Sequence, residues 1–177
     1  MPINKAQREI LSKLTREGLL DFIDLLQRNW WTLQNNWMAY INREYGEAAA
    51  VKGDSHCFGA SARAQMYRLR KMFGLKDDIQ SLMDAMVLST IWANGDYDIW
   101  KVDPTHFRIR VTNCYQQVRR LEEGMGVLPC KPAGIAICEA ALEVMNPKAK
   151  VKCLFCPPDE RPPDAWCDWE FEVPNEG

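Results

Sequence analysis

The spacing of apolar residues changes once along this chain, at Asn94-Gly95, and no fold built from one kind of secondary structure accommodates both spacings. Before it, Leu19, Leu20, Phe22, Ile23, Leu26, Trp30, Leu33, Trp37, Tyr40 and Ile41 recur mostly at three and four residues, the interval that gathers side chains on one helix face. Thr15 is a candidate N-cap, with Glu17 in the first turn where the helix dipole favours negative charge. This predicts an amphipathic helix to about Tyr45, ended by Gly46, and a second from Glu47 to Phe73, ended by Gly74. A third, capped by Asp77 or Asp78, carries Ile79, Leu82, Met83, Met86, Val87 and Thr90 as far as Trp92. After the change, Tyr97 to Val102 and His106 to Thr112 are rich in aromatic and β-branched residues, with the turn Asp103-Pro104-Thr105 between them. Phe107, Ile109 and Val111 alternate with His106, Arg108 and Arg110, giving one buried and one wet face. Helices are predicted from Cys114 to Glu123 and from Pro132 to Met145, and strands over Ala149 to Phe155 and Trp166 to Val173. The segregated order indicates an α+β fold. It comprises an N-terminal lobe of about three helices, residues 1–95, and a β-β-α-α-β-β antiparallel-sheet subdomain, residues 96–177, in one compact unit.

Charge and export signals narrow the setting. The 22 Lys and Arg are spread among 24 Asp and Glu, for a net charge of −2, so the basic footprint of a nucleic-acid binder is missing. The opening MPINKAQREILSKLTREG has no apolar run to serve as a secretory signal. No stretch approaches the roughly 20 apolar residues that cross a bilayer. A cytoplasmic protein that does not span the membrane is expected, with oligomerisation left open.

Seven cysteines in such a chain are expected to be thiols, because the cytosol keeps most thiols reduced. Cys57 and Cys138 fit the role of small buried hydrophobes. The C-terminal trio does not: Cys153-Leu-Phe-Cys156 is followed eleven residues later by Cys167. A Cys-x-x-Cys turn presents two thiolates to one tetrahedral metal, and further ligands close the site. Cys167 is the natural third and Cys130, at a predicted helix N-terminus where the dipole lowers a thiol pKa, the preferred fourth. Cys114 is the alternative. Zinc is the leading metal and an iron–sulfur cluster the second choice.

Other chemistry has few recruits. His56 and His106 are the only histidines, and no nucleotide, hydrolase or metalloprotease fingerprint is present. Trp30, Trp37 and Tyr40 lie on one predicted helix stripe with Asn29, Gln34, Asn35 and Asn36 near them. They could wall an apolar pocket with a few polar groups, or be core.

The stretch from Cys114 to Val173, with its CPPD and Cys-x-Trp-x-Phe elements, resembles the C-terminal half of an uncharacterised prokaryotic family, domain of unknown function 6125. NWWTLQNNWMAYINREYGEAAA is similar to the same family. Weaker likenesses are to the 4-vinyl reductase domain, a small-ligand sensor module with zinc ligands in the order Cys, Glu, Cys, Cys, and to 2-amino-thiazoline-4-carboxylate hydrolases. The first implies a zinc site with Cys153 in place of the Glu.

The readings converge on a cytoplasmic, metal-binding protein, zinc foremost, that acts as a sensory module or holds an apolar or aromatic small molecule between helices and sheet. The alternatives are a hydrolase of a small cyclic thio-compound, working through a metal-activated water or a free thiolate such as Cys114, and an iron–sulfur redox protein. Whether the chain is an enzyme is left open.

Overall fold

A computed structural model describes residues 3–174. The chain divides into two compact units, Met1–Trp37 and Met38–Gly177.

In the first unit, helix α1 (Lys5–Leu11) was not expected from the sequence. It is set by a reciprocal capping box in which Asn4 accepts from the Gln7 backbone and the Gln7 side chain accepts from the Asn4 backbone. Helix α2 (Arg16–Tyr45) begins in this unit. Thr15 Oγ1 accepts from the Gly18 N–H at 3.1 Å, the cap the sequence called for. Trp30 and Trp31 meet edge to face with ring centroids 4.9 Å apart. Trp31, off the expected stripe, is buried. Trp37 on that stripe is 38% exposed.

The second unit is a helix layer on one face of a four-stranded antiparallel sheet. After α2 come α3 (Glu47–Phe73), α4 (Ile79–Leu88), the hairpin β1 (Gly95–Lys101) and β2 (His106–Cys114), α5 (Tyr115–Glu122), α6 (Lys131–Met145), β3 (Lys150–Phe155) and β4 (Cys167–Glu172). Strand order is β1-β2-β4-β3. Gly46 and Gly74 take positive φ at the helix ends, and Asp78 caps α4 by accepting from Ser81 N. Helix α4 stops at Leu88 rather than Trp92, because the segment up to Asn94 coils through turns into β1.

Helices α3 and α4 belong with the sheet. Ala50, Phe58, Ala62 and Met66 of α3 are buried, and its polar side chains reach the far end of α6. Arg70 donates to the carbonyls of Val144 and Met145, and Arg63 pairs with Glu143. Gly59 brings α3 close, since a Cβ there would lie 3.4 Å from the Ala136 carbonyl. The core between the layers is filled by Met66, Leu82, Met86, Phe107, Ile109, Met145, Trp169 and Phe171, all almost fully buried. Phe107 stacks on Phe171 at 4.5 Å between centroids. Cys138 joins this core, but Cys57 does not: it is exposed, one residue off the buried stripe of α3. On the opposite face of the sheet a buried carboxylate, Asp168, is paired with Arg108.

Candidate functional site

The sheet register carries two cysteines toward α6. Val111 lies opposite Cys167, Ile109 opposite Trp169, and Trp169 opposite Cys153, so Cys153 and Cys167 share the face of the buried Trp169 ring. A bulge between Cys153 and Phe155 then re-aims the end of β3. The chain turns immediately after it, with Asp159 N donating to the Cys156 carbonyl at 2.9 Å. The Asp159 carboxylate accepts from Cys156 N at 3.3 Å and from Lys131 Nζ at 2.7 Å. The Lys131 N–H donates to the Pro157 carbonyl at 2.9 Å. Those bonds fasten the start of α6 to the Cys156 turn.

Cys130, the N-cap residue of α6, is thereby held beside Cys156, with their sulfurs 3.8 Å apart. Cys167 lies near enough to Cys156 to raise its pKa further. Gln117 of α5 completes the setting: its amide is buried, exchanges two 2.9 Å hydrogen bonds with the Leu128 backbone, and donates a third to Cys130 Sγ at 3.3 Å. Donation from Cys156, then from Gln117, lowers the pKa of Cys130 despite its burial. The same contact with Cys130 raises that of Cys156. Cys153 is pushed up to about 11, chiefly by burial, with Lys131 acting in the opposite direction. Cys114, at the end of β2, is pushed up to about 12 by burial. Its thiol is protonated near neutrality and is a poor nucleophile there.

The preferred fourth cysteine, Cys130, is thus brought into contact with Cys156, while Cys153 and Cys114 stand close enough for each to feel the charge of Cys130 and Cys167. Among the described residues no three His, Cys, Asp or Glu side chains form a group that could hold a metal ion; the closest approach among the thiols is that of Cys130 and Cys156. The chemistry of the donors nevertheless fits zinc. With zinc–sulfur bonds of about 2.3 Å, sulfurs at two corners of a tetrahedron are about 3.8 Å apart, the separation of Cys130 and Cys156.

Residues missed by the sequence reading surround the thiols: Gln117, Lys131, Asp159, and Asp54, buried on α3 and felt electrostatically by Cys130. The CPPD element was visible, but not that its Asp would turn back onto the Cys156 N–H. His106 does not join them. It pairs with Asp103 in the hairpin turn, and His56 is exposed on α3. Trp37 and Tyr40 are 38% and 50% exposed, so they do not face an interior pocket as expected; Trp31 and Met38 take the buried positions of α2. An open groove of about 590 Å³ lies elsewhere, between the first turns of α3 (Ala48, Val51, Lys52, Ser55) and Pro129, Pro132 and Pro158.

Fold and site together define an α+β protein with a helix layer on an antiparallel sheet and a thiol cluster where α6 meets the last two strands. The chain belongs to a family of unknown function, DUF6125, which it matches over residues 12–173. No curated protein matches it. Its fold is similar to that of a trafficking protein particle complex subunit 3 from Naegleria fowleri covalently bound to palmitic acid, at 10% sequence identity and a TM-score of 0.53. That likeness covers 86% of this chain and 97% of the other. These findings do not carry the likeness to the 4-vinyl reductase domain. Among the described residues no helix is long and apolar enough to cross a membrane.

Proposed function

We propose that the protein is a cytoplasmic binding module in which Cys130, Cys153, Cys156 and Cys167 hold one structural zinc, and in which that zinc fixes the proline wall of the adjoining apolar groove. The observation that carries the reading is the 3.8 Å approach of Cys130 and Cys156. Two thiols at this distance, one buried and one half-buried, with Cys167 close enough to act on Cys156, cannot all ionise unless a cation compensates them. A bound zinc supplies that compensation and, with four protein ligands, a closed site with no position for a catalytic water.

The chain's own residues do the rest. Pro129 is next to Cys130 and Pro158 is two residues from Cys156, so tying the two cysteines together fixes the proline wall of the groove. Ala48 and Val51 supply apolar surface from α3, and of the two charged residues in the lining Glu47 is paired with Arg120, leaving Lys52 as the cation that faces a ligand. An apolar molecule with an anionic head, of which a long-chain fatty acid is one form, matches this lining. The palmitic acid bound to the structurally similar subunit supports the same ligand class.

Metal and ligand are tested separately. Protein purified under reducing, chelator-free conditions should contain one zinc per chain. Serine at position 130, 153, 156 or 167 should release most of it, while Cys114→Ser and Cys138→Ser keep it. Wild-type protein without zinc, or full zinc in all four serine variants, would refute the staple. A fluorescent fatty acid displaced by palmitate should bind the zinc-loaded protein and be weakened by Val51→Lys, which puts a charge in the groove. Undiminished binding in that variant would place the ligand elsewhere and leave the metal assignment standing.

A further inference from the structure

Sequence and structure pair the cluster's sulfurs differently. Spacing favours Cys153 with Cys156, the two ends of the Cys-x-x-Cys turn. In the structure the sulfur beside Cys156 is that of Cys130, 3.8 Å away and 26 residues distant along the chain. Cys153 instead stays in the β3–β4 ladder opposite Trp169, and the bulge after it redirects the chain before Cys156 is reached. Hydrogen bonds hold the approach of Cys130 to Cys156. The Lys131 N–H donates to the Pro157 carbonyl at 2.9 Å, and Lys131 Nζ donates to the Asp159 carboxylate at 2.7 Å. Gln117, itself almost fully buried, donates to Cys130 Sγ at 3.3 Å and fixes where that sulfur lies. A disulfide holds its sulfurs about 2.05 Å apart, so closing this pair brings them about 1.8 Å nearer. The two thiols differ in access. Cys130 is half-buried and follows Pro129, which lines the open groove, whereas Cys156 is 2% exposed.

We propose that Cys130 and Cys156 are a reversible disulfide pair closed by hydrogen peroxide, and that closure expels the zinc; the second half rests on the zinc reading above, the first does not. Peroxide meets Cys130, the more open of the two thiols. The Cys130 sulfur attacks one peroxide oxygen, the O–O bond breaks and water leaves, so that Cys130 becomes a sulfenic acid, oxidised by two electrons. The Cys156 sulfur then attacks the Cys130 sulfur. The S–S bond forms as the S–O bond breaks, and the departing hydroxide takes up a proton to leave as a second water. Two thiols and one peroxide thus give one disulfide and two waters; where the sulfurs start as thiolates on zinc, solvent supplies the two protons. A thiol without a neighbour runs on toward sulfinic acid, but a partner at 3.8 Å intercepts the sulfenic acid first. Closure leaves the metal only Cys153 and Cys167, half of a closed four-ligand shell. The new bond joins the same two positions the metal had bridged, so Pro129 and Pro158 keep their places while the zinc departs.

Peroxide treatment of the full, zinc-loaded chain tests the pair, with zinc release, intact mass and fragmentation of the linked peptides followed together. One disulfide should form per chain, joining Cys130 to Cys156, as most of the zinc appears in solution. Dithiothreitol with added zinc should reverse both changes. Cys156→Ser should remove the cross-link, whereas Cys114→Ser should leave cross-link and zinc release at wild-type levels. Cys153→Ser, which the staple expects to lose zinc, should still form the cross-link. A disulfide that maps mainly to Cys153 and Cys156, or treatment that yields only sulfinic and sulfonic acids, would overturn the proposal. Protein that keeps its zinc and forms no disulfide would overturn it too, and would leave the staple standing. Zinc-free protein that still forms the Cys130–Cys156 bond would sink the staple and support the pair.

Discussion

Helices α2 and α6 are both amphipathic, yet they resolve their apolar faces in opposite ways. Seven residues of α6 are buried, Ala133, Ile137, Cys138, Ala140, Ala141, Leu142 and Met145, under α3 and over the sheet. In the first unit α2 exposes Leu19, Leu20, Ile23, Leu25, Leu26 and Leu33. Periodicity announces that a face needs covering. It does not say whether the cover comes from the same chain. The composition of the faces is the better guide: α6 presents small residues that let a neighbouring backbone approach, as at Ala136 against Gly59, whereas α2 presents large leucine, isoleucine and tryptophan side chains.

The contrast can be broken most forcefully at Trp169 and Leu33. Trp169 is almost fully buried, so Trp169→Ala should cost about 3–5 kcal/mol in denaturant unfolding. Leu33→Ala, measured at concentrations where any association is absent, should cost less than about 0.5 kcal/mol. Comparable losses at the two sites would mean that the α2 face is covered within its own chain.

A smaller effect sharpens the account of α6. A Cβ at Gly134 would lie 2.5 Å and 2.8 Å from two atoms of the Trp169 ring, which is packed on all sides. Gly134→Ala should therefore destabilise the protein by about 1–3 kcal/mol through overpacking, against the gain of up to about 1 kcal/mol that replacing Gly by Ala brings to an open helix position. Thermal melting decides the sign, and a stabilised variant would show that the helix can move off the sheet.

The smallest effect belongs to the hairpin turn. Asp103 accepts from His106 Nδ1 at 2.9 Å and from the backbone N–H groups of Thr105 and His106. These bonds, the His106 one foremost, bring its pKa down to about 2, and the same contact raises that of His106 above 6.5. The His106 contribution is complete below 6.5 and is lost as pH rises through its raised folded value. The Asp103 contribution is present above 3.8 and is lost as pH falls through about 2. Asp103→Asn should return the His106 ring titration, followed by nuclear magnetic resonance, toward 6.5. An unchanged midpoint would remove this contact as its cause.

Much of the second unit was legible because local rules and tertiary packing agree there. The Asp103 turn, the Phe107-Ile109-Val111 alternation and the glycine stops at Gly46 and Gly74 all stand within a residue or so of their expected places. Where a residue's role depends on partners far along the chain, the sequence was silent. Nothing local marks Gln117 as the donor to Cys130, or Asp54 on α3 as a neighbour of that thiol. Cys57 and Cys138 look equivalent in sequence and separate because one faces the α3 exterior and the other the sheet. The packing of the long α3 against α6 is likewise not announced by either segment alone. The tryptophan stripe is legible as a stripe, but periodicity alone does not fix its burial, and Trp37 stays 38% exposed.

X-ray absorption at the zinc edge, on protein purified in reducing buffer without chelator, tests the proposed metal centre most directly. The account predicts one zinc per chain with four sulfur neighbours at about 2.3 Å, an all-cysteine shell to which Cys130, Cys153, Cys156 and Cys167 contribute. Protein free of zinc, or a zinc shell dominated by nitrogen and oxygen, would contradict it.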